Sequence, residues 1–314
     1  MIPVTTRFFP EGHLLYTPEN QTACASITAL TQAMEKETIL EGVALLCDEN
    51  HDLTVRVGPY TGRIPRAETA IGIAEGTTRD IAILSLVGKP VSFTVIGLKE
   101  VSGEPSILLS RRRAQEHALE TMLDSWRPGD VVPATVTHLE PFGAFVDIGC
   151  GVPSMLGVDR LSVSRISHPR DRLRVGQKIY AAVLGIDREN RRVLLTHREL
   201  LGTWEENAAL FRPSTVVTGT VRGLKDYGVF VELTPNLSGL AEQSEDLREG
   251  DRVSVYLKSI LPDRMKIKLL VIERLPRERE PAPFRYFITG GHLKNWRYAP
   301  EECRKAGGET VFEE

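Results

Sequence analysis

Short runs of alternating apolar and polar residues recur along most of this chain, separated by Gly, Pro, Asp or Asn. Each run spans about five residues and is rich in Val, Ile and Phe, which is the pattern of a β-strand with one buried face. Many such strands joined by turn residues are typical of small barrels and sandwiches. The pattern therefore predicts an all-β protein.

The strand pattern repeats as a larger unit. "GDVVPATVTHLEPFGAFVDI" from Gly129 matches "STVVTGTVRGLKDYGVFVEL" from Ser214 without gaps, 85 positions later. "VGQKIYAAVLGID" from Val175 corresponds to "EGDRVSVYLKSIL" from Glu249 and to "VGKPVSFTVIGLK" from Val87. Because a sequence repeat determines the architecture, we predict three similar β-units at residues 38–113, 129–198 and 214–273.

Helical patterns separate these units. Arg111–Trp126 and His197–Phe211 are rich in Ala, Leu, Glu and Gln, with apolar residues at helical spacing. They predict helical linkers at residues 114–128 and 199–213. Glu19–Thr38 predicts one more helix, in an N-terminal extension over residues 1–37.

The C-terminal residues differ in character from the repeats. Residues 274–314 begin with a linker rich in Arg, Glu and Pro, followed by "FRYFITGGHLKNWRY". This stretch predicts a small β-hairpin that turns at Gly290-Gly291. The residues that either stack on RNA or pack against the third unit are Tyr286, Trp296, Arg297 and Tyr298. We favour packing because an isolated hairpin is marginal in water.

Composition narrows the class of protein without naming a partner. The net charge of −3 and the pI of about 6.2 give no global sign of a nucleic-acid partner, so such a sign must be local. Four separated cysteines without a CxxC pair indicate reduced thiols. The N-terminus lacks the pattern of a signal peptide, and no run approaches roughly 18 apolar residues. We therefore expect a soluble, cytoplasmic protein without a membrane partner.

The repeated aromatic residues are the first candidate for a binding site. Phe142 and Phe145 lie three apart, so a regular strand would point them to opposite faces. We expect Gly143 to allow a β-bulge that brings both rings to one face, where they would form a platform for unstacked bases. Tyr227 and Phe230 repeat the spacing. The alternative is that all four rings fill barrel cores.

Charge clustering adds a second indication. Residues 160–198 contain ten basic and three acidic residues. A positive surface beside stacking rings is what a groove for a nucleic-acid backbone requires, although a solvated loop face has the same composition. The third unit contains the acidic stretch "EQSEDLREGD" from Glu242. Binding is therefore expected to centre on the second unit.

The motifs of the second and third units resemble the S1 RNA-binding domain. The residues that carry the resemblance are "GDVV", "FGAFVDI", "VGQKI" and "IDRENRRVLLT", and "ELLGTWEENAALF" resembles the connector between repeats. The resemblance covers about residues 38–273 and is weakest in the first unit. It implies tandem five-stranded OB-type barrels, similar to the bacterial ribosomal S1 family and in particular to its short clostridial members with three repeats.

The resemblance also implies an RNA-binding face made of two aromatics, a histidine at the end of the third strand, and an Asp and Arg four apart. The second unit keeps Phe142, Phe145, Asp187 and Arg191 but has Gly157 at the histidine position. His168, further along, either compensates or is a loop residue. Arg192 is a further candidate for phosphate contact.

The other two units depart from that face. In the third unit Tyr227 and Phe230 remain, Glu242 occupies the histidine position, and Lys266 and Lys268 are the candidates for phosphate contact. An acid at that position should repel phosphate and weaken RNA binding. The first unit has no aromatic at either platform position. It is either a docking barrel for the small ribosomal subunit or a spacer.

These observations predict a non-enzymatic, cytoplasmic protein without cofactor or metal that binds single-stranded RNA or mRNA and acts in translation at the small ribosomal subunit. No HExxH or GxSxG motif occurs, and the Gly-Gly of the tail lacks the ending of a P-loop. An alternative is a protein-interaction scaffold or an RNA-decay adaptor built from the same barrels. An RNA-processing subunit is disfavoured because the sequence has no nuclease-like cluster of carboxylates.

Overall fold

The computed structural model of the chain describes residues 8–101, 103–243, 246–276, 282–301, 303 and 308–313. These residues form two compact units. The N-terminal unit extends to Trp126 and includes Asp147–Pro153, and the C-terminal unit takes Arg127–Val146 and the described residues from Ser154 onward. Within the described residues no helix is both long and apolar enough to cross a membrane.

Three closed five-stranded barrels follow one another along the chain, which confirms the predicted all-β class. The strands of the first barrel are β1 (Leu40–Cys47), β2 (Leu53–Val57), β3 (Tyr60–Ile64), β4 (Pro90–Val101) and β5 (Glu104–Ser110). Those of the second are β6 (Val131–Glu140), β7 (Gly143–Asp147), β8 (Pro153–Gly157), β9 (Lys178–Asp187) and β10 (Arg192–Thr196). Those of the third are β11 (Val216–Lys225), β12 (Gly228–Thr234), β13 (Leu237–Ala241), β14 (Arg252–Leu261) and β15 (Lys266–Leu275).

Each barrel closes in the same way. The third strand pairs in parallel with the fifth, as β3 with β5, β8 with β10 and β13 with β15. The fourth strand pairs antiparallel with both the first and the fifth, as β14 does with β11 and β15. The repeat in the sequence is therefore a repeat of one topology. The exact domain boundaries remain a proposal.

The helices are shorter than the sequence patterns predicted. The predicted N-terminal helix is two helices, α1 (Pro18–Ala23) and α2 (Ile27–Glu35), because the Ser26 side chain caps the second by accepting from Ala29 N–H. A one-turn helix α3 (Ile81–Leu84) precedes β4, and α4 (Arg111–Ser125) follows the first barrel as predicted.

The second connector is also divided. It consists of a 3₁₀ turn at Arg198–Leu201 and helix α5 (Trp204–Ala208). Gly202 separates them with a φ of 83°, in the left-handed region that favours glycine. Thr203 then begins α5 through a capping box with Glu206.

The tail contains a two-stranded antiparallel sheet, but at a different place from the predicted hairpin. Strand β16 (Asn295–Arg297) pairs with β17 (Glu309–Val311). The predicted turn at Gly290-Gly291 is wrong, because the backbone of this segment forms hydrogen bonds with the edge of the second barrel. Val131 N–H donates to Gly291 O at 3.0 Å, and Leu293 N–H donates to Gly129 O at 2.9 Å.

The second barrel, the third barrel and the tail share one hydrophobic core. Val131 and Ala182 of the second barrel belong to the same buried cluster as Val221 of the third barrel and Trp296 of the tail. Trp296 and Tyr298 are 5% and 9% exposed, so the preference for packing over ligand stacking is confirmed for these two residues. The C-terminal unit is therefore one body with two barrels.

Polar contacts reinforce this shared core. Arg172 Nη2 lies 2.5 Å from Glu232 Oε2, and both side chains are buried. Asn236, fully buried at the start of β13, donates from Nδ2 to the carbonyl oxygens of Arg198 and Gly202, both at 2.8 Å. Its Oδ1 accepts from Val163 N–H at 2.9 Å.

Candidate nucleic-acid interface

The rings of Phe142 and Phe145 lie together on the surface of the second barrel. Their centroids are 6.1 Å apart and their planes are nearly perpendicular, at 86°. Phe142 is 56% exposed and Phe145 is partly exposed. The rings therefore do not fill the barrel core, which was the alternative expectation. We call this pair the second-barrel platform.

The reason the two rings share a face differs from the predicted bulge at Gly143. Phe142 lies in the turn before β7, so the alternation of strand side chains does not apply to it. Gly143 begins the strand and carries no positive φ, and a Cβ there would lie 2.4 Å from Leu156 O. The glycine is required for close approach of the neighbouring strand rather than for a bulge.

His138 is a third ring at this platform that the sequence analysis missed. Its centroid lies 6.3 Å from that of Phe145, and its Nε2 lies 2.7 Å from Glu140 Oε1. Alternation from the buried Ala134 and Val136 would place residue 138 inside the barrel. In the third barrel a register shift between Val221 and Gly223, 85 positions after Val136 and His138, reverses the alternation. The sequence pattern alone does not show such a shift, so it gave no signal for an exposed ring at residue 138.

The turn between β9 and β10 holds the predicted acid and arginines. Both carboxylate oxygens of Asp187 bind Asn190, which donates from its backbone N at 2.9 Å and from Nδ2 at 2.8 Å. The backbone hydrogen bond from Asn190 lowers the pKa of Asp187, so its carboxylate stays charged. Arg191 has a φ of 52°, and both Arg191 and Arg192 are exposed. Asp187 therefore shapes the turn that presents these two arginines.

His168 has the loop role that the sequence analysis left open. It caps the 3₁₀ turn Pro169–Asp171, and its Nδ1 accepts from Arg170 N–H at 3.1 Å. This contact occupies one ring nitrogen with backbone. A contact between His168 and RNA remains a prediction.

The basic cluster of the second barrel divides into structural and exposed members. Arg172 is buried against Glu232, and the guanidinium of Arg198 lies 5.9 Å from the centroid of the Trp296 ring. The exposed members are Arg165, Arg170, Lys178, Arg188, Arg191 and Arg192. Six of the ten basic residues thus lie at the surface, while others stabilise the fold.

A second pair of rings lies on the third barrel. The centroids of Tyr227 and Phe230 are 6.2 Å apart at 87°, nearly the same geometry as in the second barrel, and Tyr227 is 69% exposed. Phe230 pairs with Leu240 across the strands, and Leu240 pairs with Lys268. Lys268 therefore lies in the same cross-strand row as the platform. Lys266, also exposed, begins the same strand.

The acid at the histidine position of the third barrel has a partner. Glu242 Oε1 lies 2.7 Å from Lys258 Nζ, and this hydrogen bond lowers the pKa of Glu242. The expectation that Glu242 repels phosphate treated it as an isolated charge. Because the ion pair offsets that charge, repulsion at this position is weaker than the sequence alone implied.

The first barrel lacks such a platform, and two of its arginines are engaged in ion pairs. Arg63 binds Asp52, and Arg66 Nη2 lies 2.8 Å from Asp80 Oδ1. Its exposed apolar residues instead include Leu46 on β1 and Val87 after α3, at 58% and 40%. Gly88 N–H donates to Ala44 O, which brings these two segments together.

Within the described part of the chain, no group of three or more His, Cys, Asp or Glu side chains is arranged to hold a metal ion. His197 instead links parts of the fold. His197 is fully buried, with Nδ1 at 2.9 Å from Leu161 O and Nε2 at 2.9 Å from Tyr286 Oη. Burial lowers its pKa to about 4, so it is neutral at pH 7.

Comparison with known proteins gives a family for the second barrel. Residues 126–198 match the model of the S1 RNA binding domain. Small ribosomal subunit protein bS1 of Leuconostoc lactis is 35% identical over 192 residues, covering 55% of this chain and 44% of that protein. The bS1 protein of Neisseria meningitidis serogroup B is 29% identical over 275 residues, covering 82% of this chain and 47% of that protein. The chain thus spans less than half the length of either relative.

A relative of another kind is the 4-hydroxy-3-methylbut-2-enyl diphosphate reductase of Clostridium acetobutylicum. It is 30% identical over 203 residues, which cover 60% of this chain and 32% of that protein. Most of the reductase therefore has no counterpart in this match.

Proposed function

From the match to the S1 RNA-binding domain and the similarity to ribosomal protein bS1, we propose that the chain is a cytoplasmic, non-enzymatic protein that binds single-stranded RNA. It acts in translation by holding mRNA at the small ribosomal subunit. The observation that carries the proposal is the exposed pair Phe142 and Phe145 on the barrel with the basic cluster. Rings on an OB-type barrel stack unpaired bases, while nearby cations follow the backbone.

Each predicted site residue of the second barrel has a role in this proposal. Bases stack on Phe142 and Phe145, and Arg191 and Arg192 contact phosphates beside them. Asp187 keeps its turn folded so that both guanidinium groups project outward. His168 lies in the same barrel and provides a further polar contact.

The third barrel is proposed as a second, weaker binding surface. Tyr227 and Phe230 stack bases, and Lys266 and Lys268 contact phosphates. The cross-strand row that joins Phe230 to Lys268 supports this assignment. The third unit also contains the acidic stretch from Glu242, so we expect its contribution to be smaller.

The first barrel is proposed to dock on the small subunit through protein rather than RNA contacts. Its lack of platform rings and its exposed apolar residues Leu46 and Val87 support this role. The same surface favours the alternative function, a protein-interaction scaffold or RNA-decay adaptor. Co-sedimentation with small subunits before and after nuclease treatment tests the docking, because association through mRNA is lost on nuclease treatment and association through a protein surface is retained. Binding of single-stranded RNA then separates the two functions, because a scaffold or adaptor that contacts only proteins would not bind it.

The first prediction concerns the second-barrel platform. Phe142→Ala combined with Phe145→Ala should weaken binding of a fluorescently labelled single-stranded oligouridylate at least tenfold, because each stacked base contributes on the order of 1–3 kcal/mol. Fluorescence anisotropy measures the affinity. Tyr16→Ala, which removes a ring that is 79% exposed outside the barrels, is the matched control and should leave affinity unchanged.

Salt dependence tests the phosphate contacts in the same assay. Arg191→Ala and Arg192→Ala should each reduce the slope of log affinity against log salt by about 0.7, the value for one phosphate of a single strand. If the double phenylalanine variant binds RNA with the affinity of the wild type, the platform is ruled out. If the affinity of the wild type does not depend on salt, the phosphate contacts are ruled out.

A further inference from the structure

We propose that His138 is the third stacking residue of the second-barrel platform and receives an additional base of the RNA, a role that rests on the proposed function. Its imidazole lies 6.3 Å from the Phe145 ring at 34°, while Phe142 contacts the same ring from a perpendicular orientation. The side chain of His138 is 62% exposed. Phe145 thus contacts an exposed ring from β6 and another from the turn before β7.

Glu140 holds the imidazole in place for this role. Its Oε1 lies 2.7 Å from Nε2 of His138, two residues away on the same strand. With the proton on Nε2, that nitrogen donates to the carboxylate and Nδ1 is the acceptor nitrogen of the ring. A ring fixed in this way loses less conformational entropy when a base stacks on it. Nδ1 can accept from an amino or imino N–H of a base edge.

The charge of Glu140 indicates which part of the nucleotide His138 meets. A carboxylate whose side chain is 40% exposed repels a phosphate that approaches the same spot. Stacking on the ring and donation from a base edge to Nδ1 avoid this repulsion. We therefore assign His138 to a base, and we assign the phosphates of the bound strand to the arginines after β9.

The third barrel offers a natural comparison. The position that matches His138, 85 residues later, is Gly223, which pairs with Phe230 just as His138 contacts Phe145. A Cβ at Gly223 would meet Phe230 Cδ2 at 3.9 Å, an ordinary van der Waals distance. The third barrel therefore has two platform rings where the second has three, and it has room for the missing one.

The test removes the ring from one barrel and adds it to the other. In the full chain, His138→Ala should weaken binding of a labelled oligouridylate about fivefold or more, with the salt slope unchanged because no phosphate contact is lost. His138→Phe should retain most of the affinity. Gly223→His should tighten binding, most clearly when it is combined with Phe142→Ala and Phe145→Ala.

Controls keep this inference distinct from the proposed function. His117→Asn removes an exposed imidazole from helix α4, outside the three barrels, and should leave affinity unchanged. An affinity of His138→Ala within twofold of wild type, or a shallower salt slope for that variant, would overturn the inference. If the double phenylalanine variant also binds normally, the proposed function fails. If that variant binds weakly while His138→Ala binds normally, only the third ring is refuted. Thermal unfolding of each variant excludes loss of the fold.

Discussion

At the second barrel, some side-chain positions could be predicted from the sequence and others could not. Phe142 and Phe145 were predictable because the same spacing of aromatic residues occurs in the second and third units. His138 was not, because simple alternation from Ala134 and Val136 places it inside the barrel, whereas its side chain is 62% exposed. His197 appeared as one of several scattered histidines, but it is a fully buried link between a barrel and the tail.

The buried histidine gives a pH prediction at the residue scale. An unfolded histidine has a pKa of about 6.5, and burial of folded His197 lowers its pKa to about 4. Between these values the unfolded chain binds a proton that the folded chain excludes. The contribution of His197 to stability is therefore complete above pH 6.5 and falls by up to about 3 kcal/mol as the pH drops towards 4.

Urea unfolding of the full chain at several pH values measures this dependence. His197→Gln cannot titrate, so its free energy of unfolding should change less between pH 7 and pH 4.5 than that of the wild type, even if the variant is less stable at pH 7. Equal pH dependence in the two proteins would show that His197 is not the group responsible.

Among the elements, the tail differs most from its prediction. The sequence predicts a two-stranded hairpin in the tail, and the tail does contain two paired strands, but they are not joined by the predicted Gly-Gly turn. The partners of the backbone groups near Gly291 are a property of the folded barrel edge at Gly129–Val131, which local sequence does not reveal. The strands of the barrels were predictable because their buried faces and their turns recur, whereas the tail occurs once.

The tail should contribute strongly to the stability of the C-terminal unit. Trp296→Ala removes a side chain that is 5% exposed in the shared core, and such a loss costs about 3–5 kcal/mol. The free energy of unfolding from urea titration measures the effect. Arg297→Ala, at the next residue of β16 with an exposed side chain, is the control and should change stability by less than about 0.5 kcal/mol.

At the scale of the whole molecule, the two ring platforms belong to one body. The second and third barrels share a core, and Arg172 of one is buried against Glu232 of the other. An RNA strand that reaches both platforms gains a high effective concentration at the second once it has bound the first. The repeat predicted three similar barrels, but a match between equivalent positions does not reveal which side chains of one barrel contact another.

This arrangement predicts a dependence on RNA length. Tyr227→Ala combined with Phe230→Ala should weaken binding of an RNA of about 30 nucleotides several-fold more than binding of an RNA of about 6, because one OB-type barrel covers about 4–16 nucleotides. Anisotropy with both RNAs measures the difference. Tyr16→Ala again serves as the control. An equal effect on both lengths would mean that the two barrels bind separate strands.

Asn236 carries a consequence for how the repeats relate to one another. Its side-chain amide hydrogen-bonds to Val163 of the second barrel and to Arg198 and Gly202 of the connector. Its backbone carbonyl oxygen accepts from the hydroxyl of Tyr298 in the tail at 2.5 Å. A repeat excised at its sequence boundaries would leave these buried groups without partners, and each costs about 1–3 kcal/mol. The second and third repeats are therefore not interchangeable parts, and the period of the sequence does not mark places where the chain can be cut.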